Sequence, residues 1–403
     1  MPDLLRLAGI LALIILLLRL RLDLGLVLLI ASIVTAVLYG LSLGDFALTS
    51  IGATVEALTL RLIAIVLLIT LLGEMLGASL QLEGLIRSLT YLFEDRRWLL
   101  ALIPMLIGLL PMVGGAMFSA PMVQEASEGL NLSGGRRTYI NYWFRHVWET
   151  IFPLYPSLIL AAGLMGVTAQ TLTMTQWPLF LATLIGGILF GIVGIKRAPE
   201  NRAERPDGES GLVLLAKSIW PIVLVLLLSI LLGVDLILAL LITVGILSIL
   251  ERLGPGQLFT LVKRMPLGTV PIIVGTMIFR RVLETSGAIE VTSQAFASLG
   301  IPLPLIVFSI PMVAGLLTGL AVAAFAIGFP IVFPLVGPDL MASGYGLLAY
   351  TGAFVGLMLS PVHLCLALTR EYFDAEWGDI YRRTVPGSLL VILAAVLALL
   401  VKG

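Results

Sequence analysis

The chain has 403 residues, 59% hydrophobic and only 12% charged, about half the charged share of a soluble domain, which excludes a soluble globular protein and points to a polytopic membrane protein. The formal net charge is zero but hides an asymmetry in where the charges fall, and the basic residues follow membrane topology rather than a nucleic-acid footprint. One Cys, Cys365, excludes an internal disulfide, and two His with one Cys are too few for a typical zinc site.

Continuously apolar runs predict membrane helices rather than alternating barrel strands. The first is Leu4–Leu20, which lacks a small-residue cleavage site and reads as a retained helix. Leu24–Leu43 and Leu58–Leu80 follow. The next run, Leu99–Val123, contains Pro111-Met112-Val113-Gly114-Gly115. Ile140–Val167 and Pro178–Ile195 complete a first half. The polar stretch Lys196–Gly211 reads as a solvated linker. The second half offers Leu212–Leu232, Val234–Leu250 and Val270–Ser286. Then comes Pro304–Val336, which contains Pro311-Met312-Val313-Ala314-Gly315, and finally Tyr345–Leu368 and Val385–Val401.

The two Pro-Met-Val-Gly/Ala-Gly strings lie 200 residues apart. Pro removes a backbone donor and Gly admits conformations that other residues resist. In a bilayer such segments survive only where protein or a watery cavity covers the freed backbone groups. Both runs are therefore expected to be re-entrant hairpins, residues 99–123 and 304–336. The competing reading is two kinked spanning helices. With hairpins returning to their own face, 18 of the 24 Lys and Arg collect on one side. The positive-inside rule makes that side cytoplasmic and puts both termini outside. The predicted fold class is an all-α membrane protein of ten transmembrane helices and two hairpins. It would be an inverted-topology repeat of residues 1–195 and 212–403 joined by a cytoplasmic linker, 196–211.

Three strings carry a resemblance: Pro111 through Pro121, Asn141-Tyr142-Trp143-Phe144-Arg145-His146-Val147-Trp148-Glu149, and Ser360-Pro361-Val362-His363-Leu364-Cys365-Leu366. With the paired hairpins they resemble the ion transporter superfamily of secondary carriers, which includes gluconate, citrate, dicarboxylate and arsenite permeases. Within it they resemble a prokaryotic membrane family catalogued as a domain of unknown function. The resemblance implies a homodimer in a prokaryotic inner membrane, with a fixed scaffold and a moving elevator domain. The tips depart from the Ser-Asn-Thr tips of the sodium–dicarboxylate carriers, so sodium coupling and dicarboxylate specificity do not follow.

Candidate substrate contacts are Gly114, Gly115 and Ser119 at the first tip, and Gly315, Thr318 and Gly319 at the second. Asn141, Arg145, Ser360 and Pro361 join them beside the breaks expected at Pro153–Pro156 and Ser360-Pro361. Half-helix ends at membrane depth offer backbone donors and acceptors to a ligand. Arg145 would balance an anion. His146, Glu149, His363 and Glu74 are candidates for a coupling ion or proton. The competing reading of Arg145, His146 and Glu149 is an interfacial anchor with Tyr142, Trp143 and Trp148, and that of His363 is a satisfied structural group. Of Arg280 and Arg281, one is expected to pair with Glu284 and the other to meet a lipid phosphate or a neighbouring helix.

No Walker loop, HExxH or GxSxG string is present, so an enzyme is not expected. The leading expectation is a secondary transporter for a small organic anion, with Na+ or H+ as coupling ion and no other cofactor. The alternative is a lipid flippase or scramblase.

Overall fold

The structure is a computed structural model. It describes residues 2–78, 88–89, 92–93, 95–109, 115–197, 210–265, 267–289, 291, 300–337 and 344–402. The described residues form an all-α multi-pass membrane protein. The helices in chain order are α1 (Pro2–Arg19), α2 (Leu24–Leu38), α3 (Leu43–Val55), α4 (Ala57–Ala78), α5 (Arg96–Gly108) and α6 (Ala116–Ala126). Then come α7 (Gly134–His146) with a 3-10 turn over Val147–Thr150, α8 (Pro156–Leu164), α9 (Ala169–Thr175) and α10 (Trp177–Gly187), which runs into a π turn. The second half holds α11 (Gly211–Leu226), α12 (Leu236–Leu250), α13 (Pro255–Arg264), α14 (Thr269–Thr285), α15 (Leu303–Thr318), α16 (Ala321–Val336), α17 (Tyr345–Leu359), α18 (Leu364–Tyr372) and α19 (Trp377–Lys402).

Helix starts are set by side-chain caps. Asp23, Ser42, Ser133, Ser210 and Asp235 each accept from a first-turn amide of α2, α3, α7, α11 and α12, which satisfies donors the helix itself leaves open. Among the described residues, four helices are long and apolar enough to cross a bilayer: Ala57–Gly77, Gly211–Leu231, Tyr345–Tyr372 and Trp377–Val401. Counting each of two bent pairs as one span gives up to six. One is α8 with α9, bent by 99°, and the other is α13 with α14, bent by 55°. The other expected spans are shorter or broken. Leu24–Leu43 stops at Leu38 because Gly40 turns the chain with φ +77°. Ile140–Val167 starts earlier, at Gly134, and breaks between Thr150 and Pro156. Besides the seven-residue α9, two helices, α3 and α13, fall outside the predicted runs. The first carries too many Gly, Ser and Thr to read as a span. The second is amphipathic, with Phe259 exposed and Lys263 4.5 Å over its ring.

Most of the buried apolar residues form one continuous core. Its centre is α7 and α17: residues 138–146 and 346–358 are enclosed, as expected of the uniformly apolar α17 but not of α7, which carries Asn141, Arg145 and His146 inside. Two hairpins grip them. The first is α5 with α6, and α5 lies on α7. The second is α15 with α16, and α15 lies on α17. The outer arms cross over: α6 lies on α18 and α16 on α8. Around this centre α10 packs with α19, α14 packs on α2, α3 and α4, and α4 packs on α12.

Candidate functional site

Two helices break where the core is densest. The first break, Ile151–Tyr155, holds Pro153, and Pro156 opens α8, where its missing N–H costs nothing. The second, Ser360–His363, holds Pro361. His146 closes α7 and His363 stands at the N-cap of α18. The fold brings these two ends, 217 residues apart, into contact: His146 Nε2 lies 3.1 Å from His363 Nε2. Both imidazoles are held from behind. His146 Nδ1 is 2.6 Å from the Tyr142 carbonyl, and His363 Nδ1 is 2.6 Å from the Gly319 carbonyl at the turn of the second hairpin.

The surroundings are polar and enclosed. Glu149 Oε1 lies 3.9 Å from His146 Nε2. Arg145 is buried and donates to Cys365 Sγ at 3.5 Å. The Tyr142 ring lies 4.6 Å from the His146 ring and 5.5 Å from the His363 ring. Tyr350 donates its hydroxyl to the Glu149 carbonyl. A buried His–Glu–Arg group at membrane depth is costly unless it has work to do or partners to meet. Trp143 is fully enclosed, and Trp148 donates to the Met105 carbonyl at 2.8 Å, so both indoles are engaged inside the protein.

The remaining predicted residues divide into two groups. Ser360 Oγ donates to the Leu316 carbonyl at 2.7 Å, and Pro361 is exposed beside it. Gly319 adopts φ +64°, and a Cβ there would meet the His363 amide nitrogen at 2.7 Å. Asn141 is buried and donates to the Ala116 carbonyl at 3.0 Å and to Thr369 Oγ1 at 3.2 Å. It thus ties the first tip to both broken helices. Among the described residues its Oδ1 has no hydrogen-bond partner.

The second group faces the chain's own atoms. Ser119 and Thr318 hydroxyls donate back to the Ala116 and Ala314 carbonyls at 3.2 and 2.7 Å. At Gly315 a Cβ would stand 2.7 Å from the Ala353 carbonyl oxygen, so its bareness serves helix packing. Gly115 is the N-cap of α6. Gly114, with Pro111–Val113, lies outside the described residues. Glu74 is half-buried on α4, and no described contact joins it to the cluster. Arg280 pairs with Glu284 at 2.9 Å, and Arg281 reaches Glu56 and Glu284 at 3.5 Å each, so both Arg meet Glu284 and Arg281 also reaches Glu56 at the end of α3. Sequence reasoning missed Tyr142, Tyr350 and Cys365 as members of the cluster. The available signal for Cys365 was its place two residues after His363.

Helices that cross the bilayer and a charged group buried at two helix breaks define a multi-pass membrane protein with an internal polar site. The chain matches, over residues 3–402, the family described as a protein of unknown function (DUF401), and it belongs to that family. No curated protein matches the chain.

Proposed function

We propose that the protein is a secondary active transporter of the elevator kind. It carries a small organic anion such as a carboxylate, coupled to a proton or sodium gradient. The observation that carries the proposal is the meeting of two broken helices, one from each half of the chain, around buried Arg145, His146, Glu149 and His363. Paired interruptions in two halves are what a carrier's binding site looks like. The helix pairing supports an inverted repeat. In each half the first hairpin arm lies on its own half's broken helix, and the second arm lies on the far piece of the other half's. The hairpin arms support re-entrance by their length: 16 residues each in α15 and α16 span about 24 Å, short of a core of about 30 Å. The bias of basic residues supports a cytoplasmic linker with both termini outside, in the inner membrane of a prokaryote. The homodimer rests on the superfamily resemblance.

In this reading Arg145 supplies the balancing charge, Ser360 and Asn141 brace the hairpins through the Leu316 and Ala116 carbonyls, and the paired hairpins close over the anion. The test is transport in proteoliposomes. With an imposed proton or sodium gradient, labelled carboxylates should accumulate, and Arg145→Gln should abolish accumulation. Gradient-independent movement of fluorescent lipid instead would favour a scramblase. An apolar groove of about 190 Å³ between α1 and the second hairpin, lined by Leu11, Ile14, Val313 and Leu317, is what would serve that activity.

A further inference from the structure

The two histidines pose a problem in proton counting. A carbonyl oxygen can only accept, so each Nδ1, 2.6 Å from a carbonyl, must carry the ring's proton. In the neutral rings both Nε2 atoms are then bare, and they face each other at 3.1 Å. Two lone pairs do not settle against each other in a buried site; an electrophile belongs between them. The third atom at this point is the Cys365 sulfur. Its Sγ and one ring nitrogen of each histidine all lie within 4.8 Å of one another.

We propose that His146, His363 and Cys365 bind a borderline-soft divalent transition metal ion, of which Zn2+ is the best fit. Zinc takes imidazole nitrogen and thiolate sulfur in a tetrahedron. At Zn–N distances of about 2.0–2.1 Å, two nitrogens in such a site sit about 3.3 Å apart, close to the separation here. Sulfur–nitrogen edges would be about 3.6 Å, so closing the third corner asks only a small side-chain rotation. The carbonyls behind each Nδ1 fix the tautomer and aim of both rings, the usual outer shell of a metal-bound imidazole. Glu149 lies outside this group of three, and a side-chain rotation of its carboxylate, whose Oε1 is 3.9 Å from His146 Nε2, would bring in the fourth ligand. The Cys365 thiolate and the Glu149 carboxylate together balance the ion's charge, and Arg145 donates to the sulfur from outside. A shared proton would also answer the facing lone pairs. It would have no use for Cys365, which is why the cysteine decides between them. The ion would join α7 of the first half to α18 of the second, and through Gly319 to the second hairpin. The proposal rests on this cluster alone and not on the transport reading.

The test uses the full-length protein in detergent, stripped with a chelator and titrated with Co2+ and then Zn2+. One Co2+ per chain should bind, with the visible bands of a tetrahedral ion and a thiolate-to-cobalt charge-transfer band. Zn2+ should displace it and raise the melting temperature, since an ion held only by the folded state stabilises it. Cys365→Ser differs by one atom and should fold. It should lose the charge-transfer band and bind Zn2+ at least about tenfold more weakly. His146→Gln should weaken Zn2+ likewise. A cobalt spectrum without the charge-transfer band, or Zn2+ affinity unchanged in Cys365→Ser, would overturn the proposal. Transport with no metal bound would leave the carrier standing without this site, and metal binding without transport the reverse.

Discussion

The two hairpins solve the same problem by different chemistry. Each must end a helix inside the protein and find partners for its last carbonyls. The first hairpin is served by long side chains. At the end of α5 Trp148 donates to the Met105 carbonyl at 2.8 Å and Tyr155 to the Gly108 carbonyl, while Asn141 holds the Ala116 carbonyl at the start of α6. The second is served at close range. Gly319 caps α15 with a left-handed turn, its amide on the Gly315 carbonyl at 2.9 Å, and Ser360 takes the Leu316 carbonyl. The packing differs in the same sense. Gly352 and Gly356 of α17 lie bare against the Phe308 and Met312 carbonyls of α15, a small-xxx-small face that lets two backbones touch. Among the described residues the first hairpin has one such place, Gly108 against the Arg145 carbonyl. The second hairpin is therefore seated backbone to backbone, and added bulk should hurt it most. The first is pinned by side chains, and removing them should hurt it in separate small steps.

The largest effect should come from Gly356→Val. Its branched side chain would have to push α15 off the Met312 carbonyl. The expected loss is at least about 3 kcal/mol, read as a large drop in the melting temperature of the purified protein or as failure to accumulate. Gly356→Ala should fall in between. Near-normal stability of Gly356→Val would end the claim that this seat is backbone to backbone.

Gly319→Ala comes next. An alanine at φ +64° costs about 1–2 kcal/mol by itself, and its Cβ would also press on the His363 amide. Thermal unfolding should register both, and the His363 ring should shift in NMR spectra of labelled protein. A shift in stability with an unmoved His363 signal would uncouple the hairpin turn from the histidine pair.

Tyr155→Phe and Trp148→Phe should each cost roughly 1 kcal/mol, the scale of a hydrogen bond inside a membrane protein. They share no partner atom, so their costs should add in the double variant. Strong non-additivity would mean the first hairpin also moves as one rigid seat, and the contrast with the second would fail.

Much of this was legible in the chain. Pro153, Pro156 and Ser360-Pro361 announced both breaks because a missing donor is a local property. Arg145, His146, Glu149 and His363 stood out because charge and imidazole are rare in apolar runs. What local reading could not supply was juxtaposition across 217 residues. Cys365 served only to exclude a disulfide, and a count of two His and one Cys argued against a metal, yet the fold gathers all three. Gly315 looked like a ligand's approach and turned out to be a helix's. The Gly352-Ala353-Phe354-Val355-Gly356 string was in plain view, but which helix it would meet depends on the fold. Helices α3 and α13 hid because Ser, Thr and charge broke the apolar windows.

The smallest effect sharpens the comparison at the other end of the first hairpin. There too polar side chains make the closure. Arg96 donates to the Glu125 and Glu128 carbonyls at 2.5 and 3.1 Å, joining the start of α5 to the end of α6. Asp95 caps α5 through the Arg97 amide and pairs with the Arg97 guanidinium at 2.6 Å. Hydrogen bonding to Arg97 holds the Asp95 carboxyl below its ordinary value of 3.8. A carboxyl lowered in the folded state adds stability above its unfolded value and loses it as pH falls through the folded one. Asp95→Asn keeps a cap oxygen but has no charge to lose. Its melting temperature should therefore lie slightly below that of the parent at neutral pH, by less than for either aromatic variant. The gap should close as the pH is taken below 3.8. A gap that stays constant into acid would show that the cap alone, and not the ion pair, holds the base of the hairpin.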